Sequence, residues 1–226
     1  MIFLKVCYPR DLKIILTNDN KIGSYDAAAY AKPRANTKAA KNIKISLDSN
    51  TTNTIYLFSN LGQVYKMLGN DIPNGEVSCN DIVKLDDGEK IVNIVNYNNE
   101  QYLITLTTDG YGKKTNISEF DTNRKKAGVA GMKLNDGAEM INGLLCNDND
   151  NIVFMSSDGK GFMTSTNDLS PQGRATKGRK TIRLKEGSYL AYGAIVKDGA
   201  SEVVLDKKHA VNSIKVGCLG LMGNKI

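Results

Sequence analysis

The chain contains the stretch Leu103-Ile104-Thr105-Leu106-Thr107-Thr108-Asp109-Gly110-Tyr111-Gly112-Lys113-Lys114-Thr115. A β-branched, apolar run enters an Asp-Gly turn and a second run leaves it. This is the pattern of a β-hairpin, because Asp and Gly accept the positive φ that tight hairpin turns need. We therefore predict that Leu103–Thr107 pairs with Tyr111–Thr115. By the same pattern, Val153–Ser156 is predicted to pair with Lys160–Thr164 across Asp158-Gly159.

The hairpin is one copy of a repeat. Comparable turns lie at residues 18–20 and 60–62, and the glycines Gly62, Gly110 and Gly159 are 48 and 49 residues apart. A second pattern recurs in phase with the first: an apolar residue, a cation, Leu and a Gly turn. Its copies are Val83 to Gly88, Met132 to Gly137 and Ile182 to Gly187, with Ile43 to Leu47 as a looser first copy. Each copy is predicted to be an alternating strand with its cation facing outward.

A repeat of this length is typical of propellers and solenoids, in which each unit buries its apolar face against its neighbours. We predict an all-β, propeller-like array of about four blades, with units at about 11–53, 54–100, 101–150 and 151–199. Residues 1–226 are treated as a single domain. In the tail, 200–226, the run from Glu202 to Leu205 either opens a partial fifth unit or forms a capping strand.

The basic charge is concentrated in the loops that follow the second strand of a unit. The chain has 30 Lys and Arg against 24 Asp and Glu, a net charge of +6. Units 1, 3 and 4 carry cations in this loop, whereas in unit 2 Lys66 is set against Asp71 and Glu76. The candidate DNA-binding residues are Lys32, Arg34, Lys38, Lys113, Lys114, Arg124, Lys126, Arg174, Lys177, Arg179 and Lys180.

A row of cations at regular intervals matches a phosphate backbone, where binding gains from the release of counterions. Charged loops also serve to keep an all-β array from aggregating. A single such loop therefore favours no function, but three loops in register favour a polyanion partner.

Several motifs together resemble the C-terminal domain found in the A subunits of DNA gyrase and topoisomerase IV. The run from Thr107 to Phe120 is similar to that family's T-x-x-G-Y-G-K-R-T-x-x-S-E-F/Y pattern. Residues 61–66 with 71–73, and 157–159 with 171–178, resemble two further blades, and the resemblance covers about residues 11–190. It implies a β-pinwheel, whose blades exchange strands, and a basic outer rim that bends and wraps DNA.

The resemblance also draws attention to a Q-R-R-G-G-K-G box that the family carries in its first blade. Here the corresponding loop, Ala31 to Ala39, keeps cations but lacks the glycines and the opening Gln. A box-like motif appears in unit 4 instead, with Gln172, Gly173, Arg174, Lys177 and Gly178 at box spacing. Double-stranded DNA binding is therefore expected, whereas supercoiling with a fixed hand is not implied.

Catalytic chemistry is not indicated. None of the ten tyrosines follows an Arg, as the family's catalytic tyrosine does, and the only histidine, His209, is expected at the surface or in a cap. The four cysteines form no C-x-x-C pair, and Asp148-Asn149-Asp150 indicates a polar hairpin rather than a metal loop. No metal and no cofactor are predicted.

We interpret the chain as a non-catalytic double-stranded DNA-binding and bending or wrapping module of a type IIA topoisomerase. The resemblance implies that the cleavage core and the ATPase subunit are encoded elsewhere. The resemblance also implies a bacterial, phage or mobile-element origin. The sparse cysteines and the short apolar run at residues 1–7 predict a cytoplasmic protein without membrane contact. The rival interpretation is a protein-interaction propeller that docks on a topoisomerase or another partner without holding DNA. RNA binding through the same cations is a weaker third alternative.

Overall fold

The backbone forms four antiparallel sheets, one for each repeat unit. The computed structural model describes residues 8–124 and 126–196, and beyond them the backbone of 202–203 and 214–215. In chain order the strands are β1 (Asp11–Thr17), β2 (Lys21–Asp26), β3 (Ile43–Asn50), β4 (Thr54–Ser59), β5 (Gln63–Leu68), β6 (Val77–Ser78), β7 (Ile91–Asn96), β8 (Tyr102–Thr107), β9 (Tyr111–Asn116), β10 (Val129–Ala130), β11 (Met140–Cys146), β12 (Asn151–Ser156), β13 (Gly161–Ser165), β14 (Arg179–Lys180), β15 (Leu190–Val196), β16 (Glu202–Val203) and β17 (Ile214–Lys215).

Helical structure in the described part of the chain is confined to single turns. The α-helices are α1 (Lys38–Asn42) and α2 (Cys79–Ile82), and 3₁₀ turns follow the second strand of the later units at Gly69–Asp71, Ile117–Phe120 and Thr166–Asp168. The side-chain oxygen of Thr37 caps α1 by accepting from the Ala40 N–H. The all-β prediction is confirmed.

The sheets have strand orders β3-β1-β2-β6, β7-β4-β5-β10, β11-β8-β9-β14 and β15-β12-β13, which we call blades 1 to 4. In the first three blades the last strand comes from the following unit, so consecutive blades exchange a strand. The innermost strands β7, β11 and β15 lie side by side, and this places the exchanged strands at the outer edge. This is the strand exchange that the resemblance implied.

The hairpins have the predicted register. Leu103 pairs with Thr115 and Leu106 with Gly112, while Val153 pairs with Met163. The turn residues Asn20, Gly62, Gly110 and Gly159 all have positive φ, between 60° and 83°. β16 pairs with β17 beyond unit 4; the other residues of the predicted tail, including His209, lie outside the described residues, as does Lys125.

The core lies between the blades. In β4, β8 and β12 every residue after the first is buried, because each of these central strands is covered on both faces. Phe58 of blade 2 packs in one cluster with Leu103 of blade 3 and with Phe120. Ile104 and Leu106 of blade 3 cluster with Phe154 of blade 4 in the same way. Burial on both faces explains why these strands are nearly continuous apolar runs in the sequence.

One predicted element is wrong. The segments 83–88, 132–137 and 182–187 are not strands but extended connections that end in turns. The expected alternation of side chains survives, since Val83 and Met132 are buried and Lys84 and Lys133 are exposed. These segments cross from one sheet to the next, and the Lys84 and Lys133 N–H groups donate to loop carbonyls rather than to a neighbouring strand.

The turn glycines differ in how closely the next blade approaches, and this difference is testable. A Cβ on Gly62 would lie 2.5 Å from the Met132 carbonyl oxygen, whereas a Cβ on Gly159 would meet nothing within 4 Å. Both residues have φ near +80°, so Gly159→Ala is expected to cost about 1–2 kcal/mol of stability from backbone strain alone. Gly62→Ala is expected to cost clearly more, as measured by urea unfolding; equal losses in the two variants would contradict this packing.

Candidate nucleic-acid interface

Strand exchange places the basic loops of units 3 and 4 on the blade before their own. The unit-3 loop lies against blade 2, where Val129 of β10 pairs with Val64 and the Lys66 ammonium lies 2.6 Å from an Asp121 oxygen. The unit-4 loop lies against blade 3, where Arg179 pairs with Gly112. Each loop is thus presented at the outer edge of the preceding sheet.

Because these loops lie on the preceding blades, the basic charge of each blade differs from the basic charge of the sequence unit that forms it. Blade 2 is built from unit 2, whose own loop lacks an excess of cations, but its outer edge carries Arg124 and Lys126 from unit 3. The unit-2 loop, with Asp71 and Glu76, is moved to blade 1. Blades 1, 2 and 3 therefore each carry a cation-bearing loop.

On blade 1 the cations come from unit 1 itself. The Asn18 side chain donates to the Lys41 and Asn42 carbonyls at 3.0 Å and fixes the base of this loop through α1. Lys32, Arg34 and Lys38 are exposed. A cavity of about 570 Å³ lies under the loop and is also lined by Glu76 of unit 2.

The box-like motif forms a tight turn on blade 3. The Thr176 N–H and hydroxyl both donate to the Gly173 carbonyl, at 3.2 and 2.8 Å, and the Arg174 N–H donates to a Glu119 carboxylate oxygen at 2.9 Å. Gly178 has a φ of +79°, and a Cβ there would lie 2.6 Å from the Gly112 carbonyl oxygen. The turn is therefore fixed to β9 at its end, and it leaves Lys177 exposed and Arg174 half-buried.

Lys113 lies beneath this turn and does not face solvent. Its side chain is 1% exposed, and its ammonium donates to the carbonyls of Gly173 and Thr176 at 3.1 Å and to that of Arg174. Burial lowers the pKa of Lys113 to about 8, an effect that Glu119 opposes. The ammonium is surrounded by three carbonyl oxygens of the box-like motif, and these hydrogen bonds stabilise the turn from its buried side.

Lys114 points to the opposite face of β9 and is also buried. Its ammonium lies 2.7 Å from an Asp148 oxygen, donates to the Thr166 carbonyl at 3.1 Å and stands 4.0 Å from the centre of the Tyr102 ring. Asp148 belongs to the polar hairpin between β11 and β12, in which Asn149 has a φ of 67° and Asp150 accepts from the Asn147 N–H.

The structure therefore divides the predicted site residues into two groups. Lys113 and Lys114 are enclosed by intramolecular partners, and we infer that they position the unit-4 loop rather than contact a phosphate. The remaining cations lie on loops of three consecutive blades. On blades 2 and 3 these loops lie at the outer edge, with Arg124 and Lys126 on blade 2 and Arg174, Lys177, Arg179 and Lys180 on blade 3. On blade 1, Lys32, Arg34 and Lys38 lie on the loop between β2 and β3.

The described residues contain no cluster of three or more His, Cys, Asp or Glu side chains arranged to hold a metal ion. In the same part of the chain, no helix is both long and apolar enough to cross a membrane.

A family model described as "DNA gyrase C-terminal domain, beta-propeller" matches residues 53–98, 101–148 and 150–197. The A subunit of DNA topoisomerase 4 from Staphylococcus epidermidis is 31% identical over 180 residues, which are 75% of this chain and 22% of that protein. The A subunit of DNA gyrase from Metamycoplasma arthritidis is 25% identical over 208 residues, 84% of this chain and 23% of that protein. The chain thus spans less than a quarter of the length of these curated relatives.

Solved structures show the same fold. The C-terminal domain of DNA topoisomerase IV superposes with a TM-score of 0.71 at 20% identity, covering 87% of this chain and 64% of that one. The DNA gyrase A C-terminal domain gives a TM-score of 0.71 at 21% identity, covering 87% of this chain and 68% of that one. The predicted family resemblance and the pinwheel architecture are confirmed.

The buried ammonium of Lys113 predicts a specific pH dependence of stability. With a pKa of about 8 in the folded chain against 10.5 for the free side chain, the unfolded chain binds more protons at this residue between those pH values. The free energy of unfolding therefore rises with pH in that range. In Lys113→Met this contribution is expected to be lost, as measured by urea unfolding at pH 7.5, 8.5 and 9.5. The exposed Lys177→Met is the control, and a pH profile for Lys113→Met that matches it would contradict the buried charge.

Proposed function

Since this chain belongs to the DNA gyrase C-terminal domain family, we propose that it binds double-stranded DNA along its outer rim and bends it. The observation that supports this proposal most directly is the strand exchange, which places the unit-3 and unit-4 cations on blades 2 and 3, next to the unit-1 cations on blade 1. A duplex that follows these edges meets a basic loop at each blade. Neutralising its phosphates releases counterions, which favours binding.

The contacts are expected to be with phosphates rather than with base edges. The exposed cations lie on loops and on the short edge strand β14, and the described part of the rim offers no protruding helix or ribbon of the kind that enters a major groove. Phosphate contacts position the duplex without reading its sequence. Preference among DNA sequences then arises from how easily the duplex bends.

We propose that the module is not itself catalytic and serves a type IIA topoisomerase whose cleavage core and ATPase subunit come from separate chains. The relatives are A subunits of gyrase and topoisomerase IV, of which this chain matches less than a quarter. The bacterial relatives support the cytoplasm as its place of action. No cofactor is part of this proposal.

The first test is the salt dependence of binding. Replacing Arg174, Lys177 and Arg179 by Ala removes three cations from blade 3. The slope of log K against log salt is negative, and the replacement is expected to reduce its magnitude by about 2.7, since each phosphate contact contributes about 0.9. Fluorescence anisotropy with a labelled duplex measures this slope. The matched control replaces three exposed lysines outside the basic loops, Lys21, Lys90 and Lys160, which we call the turn cations, and is expected to leave the slope unchanged.

Absence of duplex binding by the unaltered chain at low salt would overturn the DNA proposal and favour the protein-docking alternative. Tighter binding of single-stranded or double-stranded RNA than of duplex DNA would favour the RNA alternative.

Wrapping is tested separately from binding. Nicked circular DNA resealed in the presence of the chain is expected to show a shift in linking number if the duplex follows the rim across blades 1 to 3. Gel electrophoresis of the deproteinised circles measures the shift. An unchanged linking number at saturating protein would reduce the module to a bender or tether.

A further inference from the structure

One exposed cation occurs at the same place in each of the three later units, outside the basic loops. Lys84, Lys133 and Arg183 are 49 and 50 residues apart, and all three are exposed. Each directly follows a buried apolar residue, which is 1%, 3% and 8% exposed in turn. The position is therefore set by packing and not by the length of a free loop.

These cations stand where two blades meet. The segment that carries Lys133 leaves β10 on blade 2, and the Met132 N–H donates to the Gly62 carbonyl in the hairpin turn of that blade. The segment then turns and enters β11 of blade 3. The segment with Arg183 runs in the same way between blades 3 and 4, where the Ile182 N–H donates to the Gly110 carbonyl. We call Lys84, Lys133 and Arg183 the seam cations.

The backbone of a seam cation is hydrogen-bonded to the basic loop of the next unit. The Lys84 N–H donates to the Lys126 carbonyl at 2.9 Å, and the Lys133 N–H donates to the Thr176 carbonyl at 3.0 Å. Thr176 lies between Arg174 and Lys177 in the box-like motif. Lys84 and Lys133 are thus held in a fixed order with the loop cations of the next unit by contacts between different units.

None of the salt bridges within the described residues uses a seam cation. Their side chains therefore carry positive charge that those ion pairs do not neutralise. Packing fixes where these exposed side chains recur but does not require them to be cations, whereas a phosphate contact at each junction between blades does.

We propose that the seam cations form a second set of phosphate contacts, which joins the loop contacts into one track along the rim. In order, the track runs through Lys84, the unit-3 loop, Lys133, the unit-4 loop and Arg183. This inference rests on the proposed DNA binding and specifies the path of the duplex backbone. It also gives unit 2, whose loop lacks excess cations, a contact of its own through Lys84.

The test replaces all three seam cations by Ala in the full chain and measures the salt slope of duplex binding by anisotropy. The magnitude of the slope is expected to fall by about 2.7 in the triple variant and by about 0.9 in the single variant Lys133→Ala. Unfolding midpoints of the variants should match that of the unaltered chain, because the replaced side chains are exposed. The control with Ala at the turn cations Lys21, Lys90 and Lys160 removes the same charge outside the segments 83–88, 132–137 and 182–187.

The outcomes separate this inference from the proposed function. If the unaltered chain binds DNA and the seam variant keeps its full slope, the seam contacts are wrong while DNA binding stands. If the seam and turn variants lower the slope equally, overall charge accounts for the effect and the track is wrong. If the unaltered chain does not bind DNA, the proposed function itself fails.

Discussion

The hydrogen bonds that each unit gives to the blade before it are the constraint on which the rest of the molecule depends. A sheet edge presents unpaired N–H and C=O groups, and a propeller blade must satisfy or shield them. Here β6, β10 and β14 cover the outer edges of β2, β5 and β9. The pairing satisfies part of each edge and, at the same time, fixes the ends of the unit-2, unit-3 and unit-4 loops on the preceding blades.

Because the exchanged strands are fixed, the side chain beneath each loop differs from blade to blade. Lys113 supports the unit-4 loop by donating to three carbonyls. At the matching position in blade 2, Tyr65 packs under Gly128, and its single hydroxyl proton lies between two acceptors, a Glu89 carboxylate oxygen at 3.0 Å and the Lys84 carbonyl at 3.1 Å from the hydroxyl oxygen. In blade 1 the position is Gly23, and the backbone at Gly75 approaches it directly. The same strand exchange is thus supported in three ways: by the charged Lys113 in blade 3, by the aromatic ring of Tyr65 in blade 2, and by close backbone packing at Gly23 in blade 1.

The repeat, the hairpins and the turn residues could be predicted from the sequence because each is a local pattern. A β-branched apolar run and an Asp-Gly turn predict β8 and β9 without reference to the rest of the chain. The exchange could not be derived from periodicity, since β6, β10 and β14 have two residues each; only the family resemblance implied it. Their partners are also remote in sequence, as with Val129 and Val64. Residue pattern alone therefore assigned each basic loop to its own unit.

The burial of Lys113 and Lys114 could not be predicted from the sequence either, but for a different reason. Consecutive strand residues point to opposite faces, so a pair of lysines ordinarily places at least one at a surface. In blade 3 each face supplies its own polar cradle, from the unit-4 loop on one side and from Asp148 and Tyr102 on the other. A count of charges cannot distinguish a buried cation that hydrogen-bonds to a loop from an exposed cation that the loop carries.

That distinction affects how the rim holds a duplex under the proposed function. The unit-4 loop is fixed at Gly178 and by the three carbonyls around Lys113. Each cation it displays therefore loses little freedom on meeting a phosphate, which favours tight contact. The unit-1 loop is fixed mainly at α1, through Asn18, and its cations Lys32 and Arg34 precede that anchor. Under the proposed function, blade 3 is therefore expected to define the path of the duplex, and blade 1 is expected to adapt to it.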